Sequence, residues 1–231
     1  MATLIQTLAS VIAAGSMLFS APVDVAAPQH DIDGDLFLIN RQWRVSENFV
    51  PELRSADVSG QLKQMRPDAT YALEEMFKAC KKESGGTMQT VSGYRSYTKQ
   101  SNLYNNKLKR VKGSVEKADE YVARPGASEH QLGLAMDIGQ VNKTNLTSGF
   151  GKTKSGKWLA ANGWRYGFIL RYQEGWEEIT GYNFEPWHVR YVGKEHAEKI
   201  QQANIPLETY LVEYRSEMLM DIVTGKILED E

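Results

Sequence analysis

The stretch ASEHQLGLAMDIG, at residues 127–139, places a carboxylate inside an apolar run that is typical of a buried strand. Asp137 lies directly between Met136 and Ile138. Burying an unpaired carboxylate costs several kcal/mol or forces the group to take up a proton. We therefore expect the carboxylate of Asp137 to have a charged or hydrogen-bonded partner that another part of the chain contributes.

The histidines of the chain are the first candidates for that partner. Four are present, namely His30, His130, His188 and His196. His130 precedes Asp137 by seven residues, an odd separation that places two side chains on opposite faces of one continuous strand. Gly133 could interrupt the strand and let both side chains converge. His188 lies in EPWHVRYVG, a second short strand pattern that we expect to join the same sheet.

Two imidazoles and one carboxylate form a ligand set that suits a catalytic zinc ion with an open fourth position. A bound metal would also leave Asp137 charged and fully paired. Glu185 lies three residues before His188, and Pro186 between them prevents a regular helix. A carboxylate held beside the metal is the general base that a zinc hydrolase needs. This order of residues differs from the helical H-E-x-x-H motif, so strands and loops must build the site.

Each of these residues also has a non-catalytic interpretation when it is considered alone. A single buried histidine is more often a hydrogen-bonded core residue than a metal ligand. Asp137 could form a structural hydrogen bond or a salt bridge to an arginine such as Arg95, and Glu185 could be a solvated charge at a strand end. His30 and His196 lie outside any such pattern, so we interpret both as ordinary residues.

Hydrophobic periodicity predicts the elements that must position these side chains. Helices are predicted from Pro67 to the Gly85–Gly86 pair, from Tyr97 to about Arg110, at residues 115–122, and in WLAANGW, KEHAEKIQQAN and PLETYLVEY. Strands are predicted in TMQTVSGYRS, LAMDIG, RYGFILRY and FEPWHVRYVG, and LFLINRQWRV is predicted to be an early extended segment. Because helices come first and strands cluster later, we predict an α+β fold in which a small, mainly antiparallel sheet carries the zinc site and is flanked by helices.

Several motifs together resemble one family. SEHQLGLAMD fits the signature S-x-H-x-x-G-x-A-x-D, and EPWH fits the downstream E-x-x-H. SGYRSYTKQ, ARPGASEHQLG, GWRYGFILRY and EPWHVRYVG occur in the family's order. Through these motifs the chain resembles the VanY-type D-alanyl-D-alanine carboxypeptidases over roughly residues 36–211. The resemblance implies a zinc metallopeptidase that hydrolyses the terminal peptide bond of peptidoglycan stem peptides.

The resemblance also implies roles for individual residues. His130, Asp137 and His188 would hold Zn²⁺, and Glu185 would act first as general base and then as general acid. Arg95, in SGYRS, would bind the substrate and stabilise the oxyanion, because a guanidinium is always charged and donates two hydrogen bonds at once.

Three further residues are candidate substrate contacts. Ser128 and Gln100 would donate hydrogen bonds to the backbone or the terminal carboxylate of the peptide. Trp187 either lines the cleft or packs beneath the sheet, and both interpretations stay open. The aromatic residues between positions 164 and 176 are interpreted as core and turn packing.

The same resemblance leaves several functions open. The first alternative is the same zinc chemistry on another bond, either the L,D-linkage of a tetrapeptide or a bond that an endolysin-type peptidase cuts. The second is a non-catalytic peptidoglycan-binding module that keeps the fold. Glu185 beside an intact ligand set favours an enzyme, because binding alone needs no base.

Composition narrows the class of protein further. The chain has 231 residues and a net charge of −2, so nothing in it predicts a nucleic-acid partner. Its single cysteine, Cys80, cannot form an intrachain disulfide. Residues 2–27 lack Lys and Arg and are mostly apolar or small, which is typical of a secretory signal.

We predict three segments along the chain. Residues 1–29 are a signal peptide or N-terminal anchor, residues 30–215 are the zinc carboxypeptidase domain, and residues 216–231 are a C-terminal tail. The tail is expected to form a small hairpin around Thr224 and Gly225 or to be loose. The protein is then exported to the periplasm or cell envelope, and a membrane association, if the N-terminal segment is an anchor rather than a cleaved signal, is through that segment only.

Overall fold

The structure, a computed structural model, describes residues 24–25 and 34–224. Its strands are β1 (Asp24–Val25), β2 (Arg44–Val45), β3 (Arg54–Ser55), β4 (Gln64–Met65), β5 (Met88–Ser92), β6 (Ala135–Gln140), β7 (Phe168–Leu170) and β8 (His188–Tyr191). Its helices are α1 (Pro67–Ser84), α2 (Tyr97–Arg110), α3 (Val115–Asp119), α4 (Lys154–Asn162), α5 (Glu177–Thr180), α6 (Lys194–Ala203) and α7 (Leu207–Thr224). The predicted signal or anchor segment lies outside the described residues, apart from β1.

One four-stranded sheet organises the chain. Its strands lie in the order β5, β6, β8, β7, and every neighbouring pair is antiparallel. Strands β3 and β4 form a separate antiparallel pair, and β1 pairs with β2 in parallel. Helix α1 packs against β5, and helix α6 packs against β7. The predicted α+β fold, with a small, mainly antiparallel sheet flanked by helices, is confirmed.

Helix α1 covers one face of this sheet. Pro67 occupies its first turn, where a missing backbone N–H costs nothing, and Gly85 ends it in the left-handed conformation at φ 64°. Leu73, Met76 and Cys80 recur at helical spacing and join the main hydrophobic core. The predicted helix is confirmed, and Cys80 is a buried free thiol.

Strand β6 lies between β5 and β8, and its first five residues are buried. Met136 and Ile138 belong to the main core, so alternation along the strand turns Asp137 to the opposite face. On β8, Val189 joins the same core, whereas His188 pairs with Asp137 on the other face. The sheet therefore has an apolar face under α1 and a polar face that carries the predicted ligands.

Within the extended segment predicted in LFLINRQWRV, only Arg44–Val45 is paired as a strand. The side chain of Asn40 accepts hydrogen bonds from the backbone N–H groups of Gln42 and Trp43, at 2.8 and 3.0 Å. Such a local turn competes with a strand. Leu36 is still buried, in a second apolar cluster that it shares with α6 and α7.

Two helix ends also differ from prediction. Helix α3 ends at Asp119 rather than at residue 122. Helix α7 continues through Ser216 to Thr224, because its sequence contains no Gly or Pro that would stop it. Residues 216–224 are therefore neither the hairpin nor the loose tail that was expected after Ser216, and residues 225–231 lie outside the described residues. Among the described residues, no helix is both long and apolar enough to span a membrane.

Candidate metal centre

The pairing of β6 with β8 brings the first two predicted ligands together. Asp137 and His188 are direct partners in the antiparallel register, so their side chains share one face of the sheet. Asp137 Oδ1 lies 3.2 Å from His188 Nδ1, and both side chains are only 6% exposed.

The turn before β6 brings His130 to the same point. Gly133 adopts a φ of +70°, where a side chain would be strained, and a Cβ there would also meet three atoms at 3.2 Å. This turn places His130 Nε2 3.4 Å from Asp137 Oδ2. The break predicted at Gly133 is confirmed, and the three predicted ligands converge.

The hydrogen bonds of the two imidazoles indicate which nitrogen of each faces the metal. His130 Nδ1 lies 2.9 Å from the carbonyl oxygen of Gly93, an acceptor, so Nδ1 donates and Nε2 presents its lone pair. His188 Nε2 lies 3.1 Å from Glu129 Oε2, so here Nε2 donates and Nδ1 presents its lone pair. The two rings therefore use different nitrogens toward Asp137.

These donor atoms fit a zinc ion. One ligand atom from each of His130, Asp137 and His188 lies within 4.8 Å of the other two. Asp137 Oδ1 is buried and has no hydrogen-bond partner among the described residues, although it faces the lone pair of His188. Two such atoms at 3.2 Å need either a proton or a metal ion between them. Two nitrogens and one carboxylate oxygen match a zinc site that keeps one position open.

The charges around the site favour the ionised carboxylate. Burial alone would raise the pKa of Asp137, but the facing imidazoles of His130 and His188 hold it well below its ordinary value. Burial opposes a charge on His188, but the carboxylates of Asp137 and Glu129 outweigh burial and raise its pKa to about 9. A proton and a metal ion therefore compete for Nδ1 of His188.

Glu185 lies beside the three donors without joining them. The backbone N–H of His188 donates to the carbonyl of Glu185 at 3.2 Å, which closes a tight turn around Pro186. The turn holds Glu185 Oε2 3.9 Å from His188 Nδ1. Burial raises the pKa of Glu185 to about 8, with a further rise from Asp137. A carboxylate in this position can exchange a proton near neutral pH.

A cavity of about 350 Å³ opens onto the donors and Glu185. Its polar wall also contains Arg95 and Ser128, and its apolar wall contains Leu103, Tyr121, Leu146, Tyr172, Tyr182 and Trp187. Trp187 both lines the cavity and packs against the main core, so the two interpretations of this residue are compatible. Tyr172, which the sequence favoured as packing, lies on the cavity wall as well.

Arg95 both pairs with Asp137 and lines the cavity. Its Nη2 lies 3.6 Å from Asp137 Oδ2 and donates to Ser92 Oγ at 3.1 Å. Its Nη1 donates to Gln100 Oε1 at 2.7 Å. The guanidinium thus forms the ion pair that is the structural alternative for Asp137, and it also lines the cavity.

Gln100 does not lie where its predicted role requires. Its side chain is fully buried and lies outside the cavity wall. Besides accepting from Arg95, it donates to the backbone carbonyl of Ala123 at 2.6 Å. Its position is that of a support for Arg95 rather than a substrate contact. Ser128 is on the wall, and its contact with substrate stays a prediction, as does that of Trp187.

Glu129 was missed by sequence reasoning, although it lies between Ser128 and His130. Its side chain is 1% exposed and contacts His188, Arg171 and Arg190. Two signals could have revealed it: a charged residue inside a buried motif, and an arginine two residues after His188 on the same strand face. Both arginines are buried, Arg171 directly after β7 and Arg190 within β8, so each needs a charged or polar partner.

Comparison with known proteins places these residues in a described family. The VanY family model, described as D-alanyl-D-alanine carboxypeptidase, matches residues 62–194. The chain is 45% identical over 183 residues to "Putative carboxypeptidase YodJ" of Bacillus subtilis (strain 168), an alignment that covers 76% of this chain and 66% of that protein. The chain spans 66%, 41% and 65% of the lengths of three curated relatives, so it corresponds to only part of each.

Two solved structures share the fold. The LdcB LD-carboxypeptidase has a TM-score of 0.73 and 44% identity, with 79% of this chain and 87% of that chain covered. A vancomycin-resistance D,D-pentapeptidase VanY, solved with Zn(II), has a TM-score of 0.66 and 34% identity, with 77% of this chain and 98% of that chain covered. The second of these shows that a similar protein holds zinc.

Proposed function

The chain belongs to the VanY family of D-alanyl-D-alanine carboxypeptidases, and we propose that it is a zinc-dependent carboxypeptidase that releases the terminal D-alanine of peptidoglycan stem peptides. The observation that carries the proposal is a single cavity that holds three converging metal donors and the separate carboxylate of Glu185. A binding module does not need a separate carboxylate beside the metal donors, such as that of Glu185.

His130, Asp137 and His188 would hold the zinc ion, which would supply Lewis acidity toward water and toward the carbonyl of the scissile bond. The side chains of this protein transfer the protons and bind the substrate. The carboxylate of Glu185 accepts a proton from the attacking water. When the C–N bond breaks, the same carboxyl group gives that proton to the leaving amine nitrogen of D-alanine.

Arg95 supplies the positive charge that the chain itself can direct at the substrate. Its guanidinium is 12% exposed and is fixed by Gln100 and Ser92. A fixed guanidinium can stabilise negative charge that develops on the carbonyl oxygen, and it can bind the terminal carboxylate. Ser128 on the same wall is the proposed additional donor to the peptide.

The size of the cavity favours a short substrate end. About 350 Å³ is at the small end of the range for ligand sites. The apolar wall suits the alanine methyl groups, whereas Arg95 suits a free carboxylate. This combination supports removal of a terminal residue over cleavage inside a long chain, which an endolysin-type peptidase performs.

We propose the D,D-linkage of the pentapeptide as the bond cut, in keeping with the description of the family. The second candidate is the L,D-linkage of the tetrapeptide, which the 44% identity to an LD-carboxypeptidase favours. Since the substrate belongs to the cell wall, we propose that the protein acts in the cell envelope after export. Membrane association through residues 1–29 stays a prediction, and no nucleic-acid partner is proposed.

The test is a product assay on zinc-loaded protein. Defined pentapeptide and tetrapeptide stems are incubated separately, and the released amino acids are identified by mass. Release of D-alanine from the pentapeptide alone supports the D,D-activity, and release from the tetrapeptide alone supports the L,D-activity. No release from either stem would contradict the proposal. The Glu185→Gln variant is the matched control, because it keeps the metal ligands and removes the base.

A further inference from the structure

We propose that Glu129 is a positioning residue for the metal ligand His188, and that Arg171 and Arg190 hold it in that role. The inference rests on the proposed function, because it concerns the same metal centre. It adds a residue that lies on the cavity wall, is not one of the three metal donors, and acts through His188. It also adds a connection from the metal centre to parts of the chain outside the matched family region.

The contacts of Glu129 divide between its two oxygens. Oε2 lies 3.1 Å from Nε2 of His188. Oε1 accepts hydrogen bonds from Arg171 Nε at 2.7 Å and from Arg190 Nη1 at 2.9 Å. All four side chains are at most 6% exposed. One oxygen is therefore saturated by arginine, and the other is left for the imidazole.

The two arginines determine what Glu129 can do to His188. Oε1 of Glu129 accepts from Nε of Arg171 and Nη1 of Arg190, and both donors belong to guanidinium groups that are always charged. A carboxylate paired in this way can only accept hydrogen bonds, so Nε2 of His188 must donate to Oε2. Nδ1 is then the ring nitrogen that is left for a metal ion, 3.2 Å from Asp137 Oδ1. Glu129 thereby selects both the tautomer and the orientation of the ring.

The arginines are anchored in turn by segments on either side of the matched region. Arg171 forms a two-point ion pair with Glu208 of α7, at 2.6 and 2.9 Å. Nη2 of Arg190 donates to the backbone carbonyls of Asp35 and Phe37, at 2.7 and 2.9 Å.

The family match covers residues 62–194, so all three anchors lie outside it. Two carboxylates balance two guanidinium groups, which lets the network be buried without net charge. Residues 35–37 and α7 thus complete the set of contacts that surrounds the metal ligands.

A purely structural network would behave differently. Removing one partner of a buried ion pair destabilises a protein whatever the pair is near. A structural role therefore predicts a lower melting temperature and an unaltered metal site in whatever protein stays folded. A positioning role predicts weaker zinc binding and a changed ligand geometry at temperatures where the variant is fully folded.

The experiment compares the unsubstituted chain with Glu129→Gln and Glu129→Asp. Glu129→Gln removes the charge at nearly constant shape, whereas Glu129→Asp keeps the charge for the arginines and withdraws the oxygen from His188. Glu74→Gln is the matched control, because Glu74 also pairs with an arginine, Arg54 at 2.7 Å, but lies outside the cavity. Zinc affinity is measured by competition with a chelator, ligand geometry by the visible spectrum of the Co²⁺-substituted protein, and folding by circular dichroism.

Glu129→Gln should weaken zinc binding about 10- to 100-fold and alter the Co²⁺ spectrum. The reason is that an amide NH₂ must face either the arginines, which are donors themselves, or Nε2 of His188. Glu129→Asp should fold and still bind zinc at least about tenfold more weakly. Glu74→Gln should match the unsubstituted chain in both metal measurements.

Glu208→Gln extends the test to the surface side of the network, where the carboxylate is 16% exposed and loss of folding is not expected. It should weaken zinc binding by about two- to fivefold, less than either Glu129 variant, because one partner of Arg171 remains. Unchanged zinc affinity and an unaltered spectrum in the folded Glu129 and Glu208 variants would overturn the inference. An unsubstituted chain that binds no zinc would instead overturn the proposed function, so the two failures are distinguishable.

Discussion

The two faces of strand β6 bury opposite kinds of side chain within a single residue step. Met136 and Ile138 enter the main core beneath α1, whereas Asp137 enters a layer of charge with His188 and His130. The core face obtains its stability from burial of apolar surface. Burying charged groups on the polar face lowers the free energy of unfolding, and a bound cation would offset that loss.

One face of strand β6 therefore contributes to the stability of the fold, and the other face contributes to the metal site. Alternation along β6 and β8 assigns neighbouring residues to opposite tasks. Substitutions on the polar face should therefore change metal binding or catalysis while the fold survives. Substitutions on the core face should change stability while the site keeps its properties. Variants on the two faces test whether fold stability and the properties of the metal site change independently.

The largest effect is expected from His188→Ala. Removing a ligand that pairs directly with Asp137 should reduce bound zinc below detection and abolish peptidase activity, while the metal-free protein stays folded. Metal content by atomic emission and far-ultraviolet circular dichroism check this. His196→Ala is the control, because His196 bonds to Tyr210 at 2.7 Å outside the cavity. Unchanged zinc content in His188→Ala would remove His188 from the ligand set.

The next effect is expected from Glu185→Gln. The variant should keep its zinc and lower kcat by about 10²- to 10⁴-fold, since general acid–base catalysis contributes on that scale. KM should change little, because Glu185 acts on the proton rather than on substrate affinity. Glu178→Gln, on the exposed surface of α5, is the matched control. Full activity in Glu185→Gln would show that another group is the base.

A substitution on the core face of β6 should lower stability and leave zinc affinity unchanged. Met136 is fully buried in the main core, and Met136→Ala should lower the free energy of unfolding by about 2–5 kcal/mol through lost burial and the cavity that remains. Zinc affinity of the folded protein should stay within about twofold of the unsubstituted chain. Chemical denaturation and chelator competition measure the two quantities. A tenfold loss of zinc affinity would contradict the separation of the two faces.

The sequence predicted the polar face better than it predicted the contacts that surround the metal ligands. Residue type and the break at Gly133 made His130, Asp137 and His188 candidates, and the family motifs that contain them gave these three residues their predicted roles as ligands. The α+β class follows from local periodicity, as α1 shows.

The contacts that surround the metal ligands are ones that no local pattern contains. Gln100 has the residue type of a substrate contact, but its partner Ala123 lies 23 residues away and turns it inward. Glu129 meets Arg171, Arg190 and His188 across separations of 42, 61 and 59 residues. Only the packing of the finished sheet determines which of these polar groups meet.

The smallest effect should come from a polar cluster that lies near the cavity and has no chemical task. Asp119 is buried and accepts hydrogen bonds from Tyr104 at 2.7 Å and from Arg124 at 2.6 Å. These bonds fix the segment that leads to Tyr121 on the cavity wall. Buried charge beside a cavity is therefore not enough to make a functional residue, and Asp119→Asn tests that limit.

Burial opposes the charge of Asp119, but its hydrogen bonds from Arg124 and Tyr104 keep its pKa below the ordinary value. A carboxyl group with a lowered pKa contributes stability above its unfolded pKa and loses it as the pH falls through the folded pKa. Asp119→Asn should lower the free energy of unfolding at pH 7 by about 1–3 kcal/mol, and the difference from the unsubstituted chain should shrink below about pH 4. Zinc affinity should not change. A difference that stays constant with pH would show that shape rather than charge holds the cluster, and a fall in zinc affinity would extend the polar face of β6 to this side of the cavity.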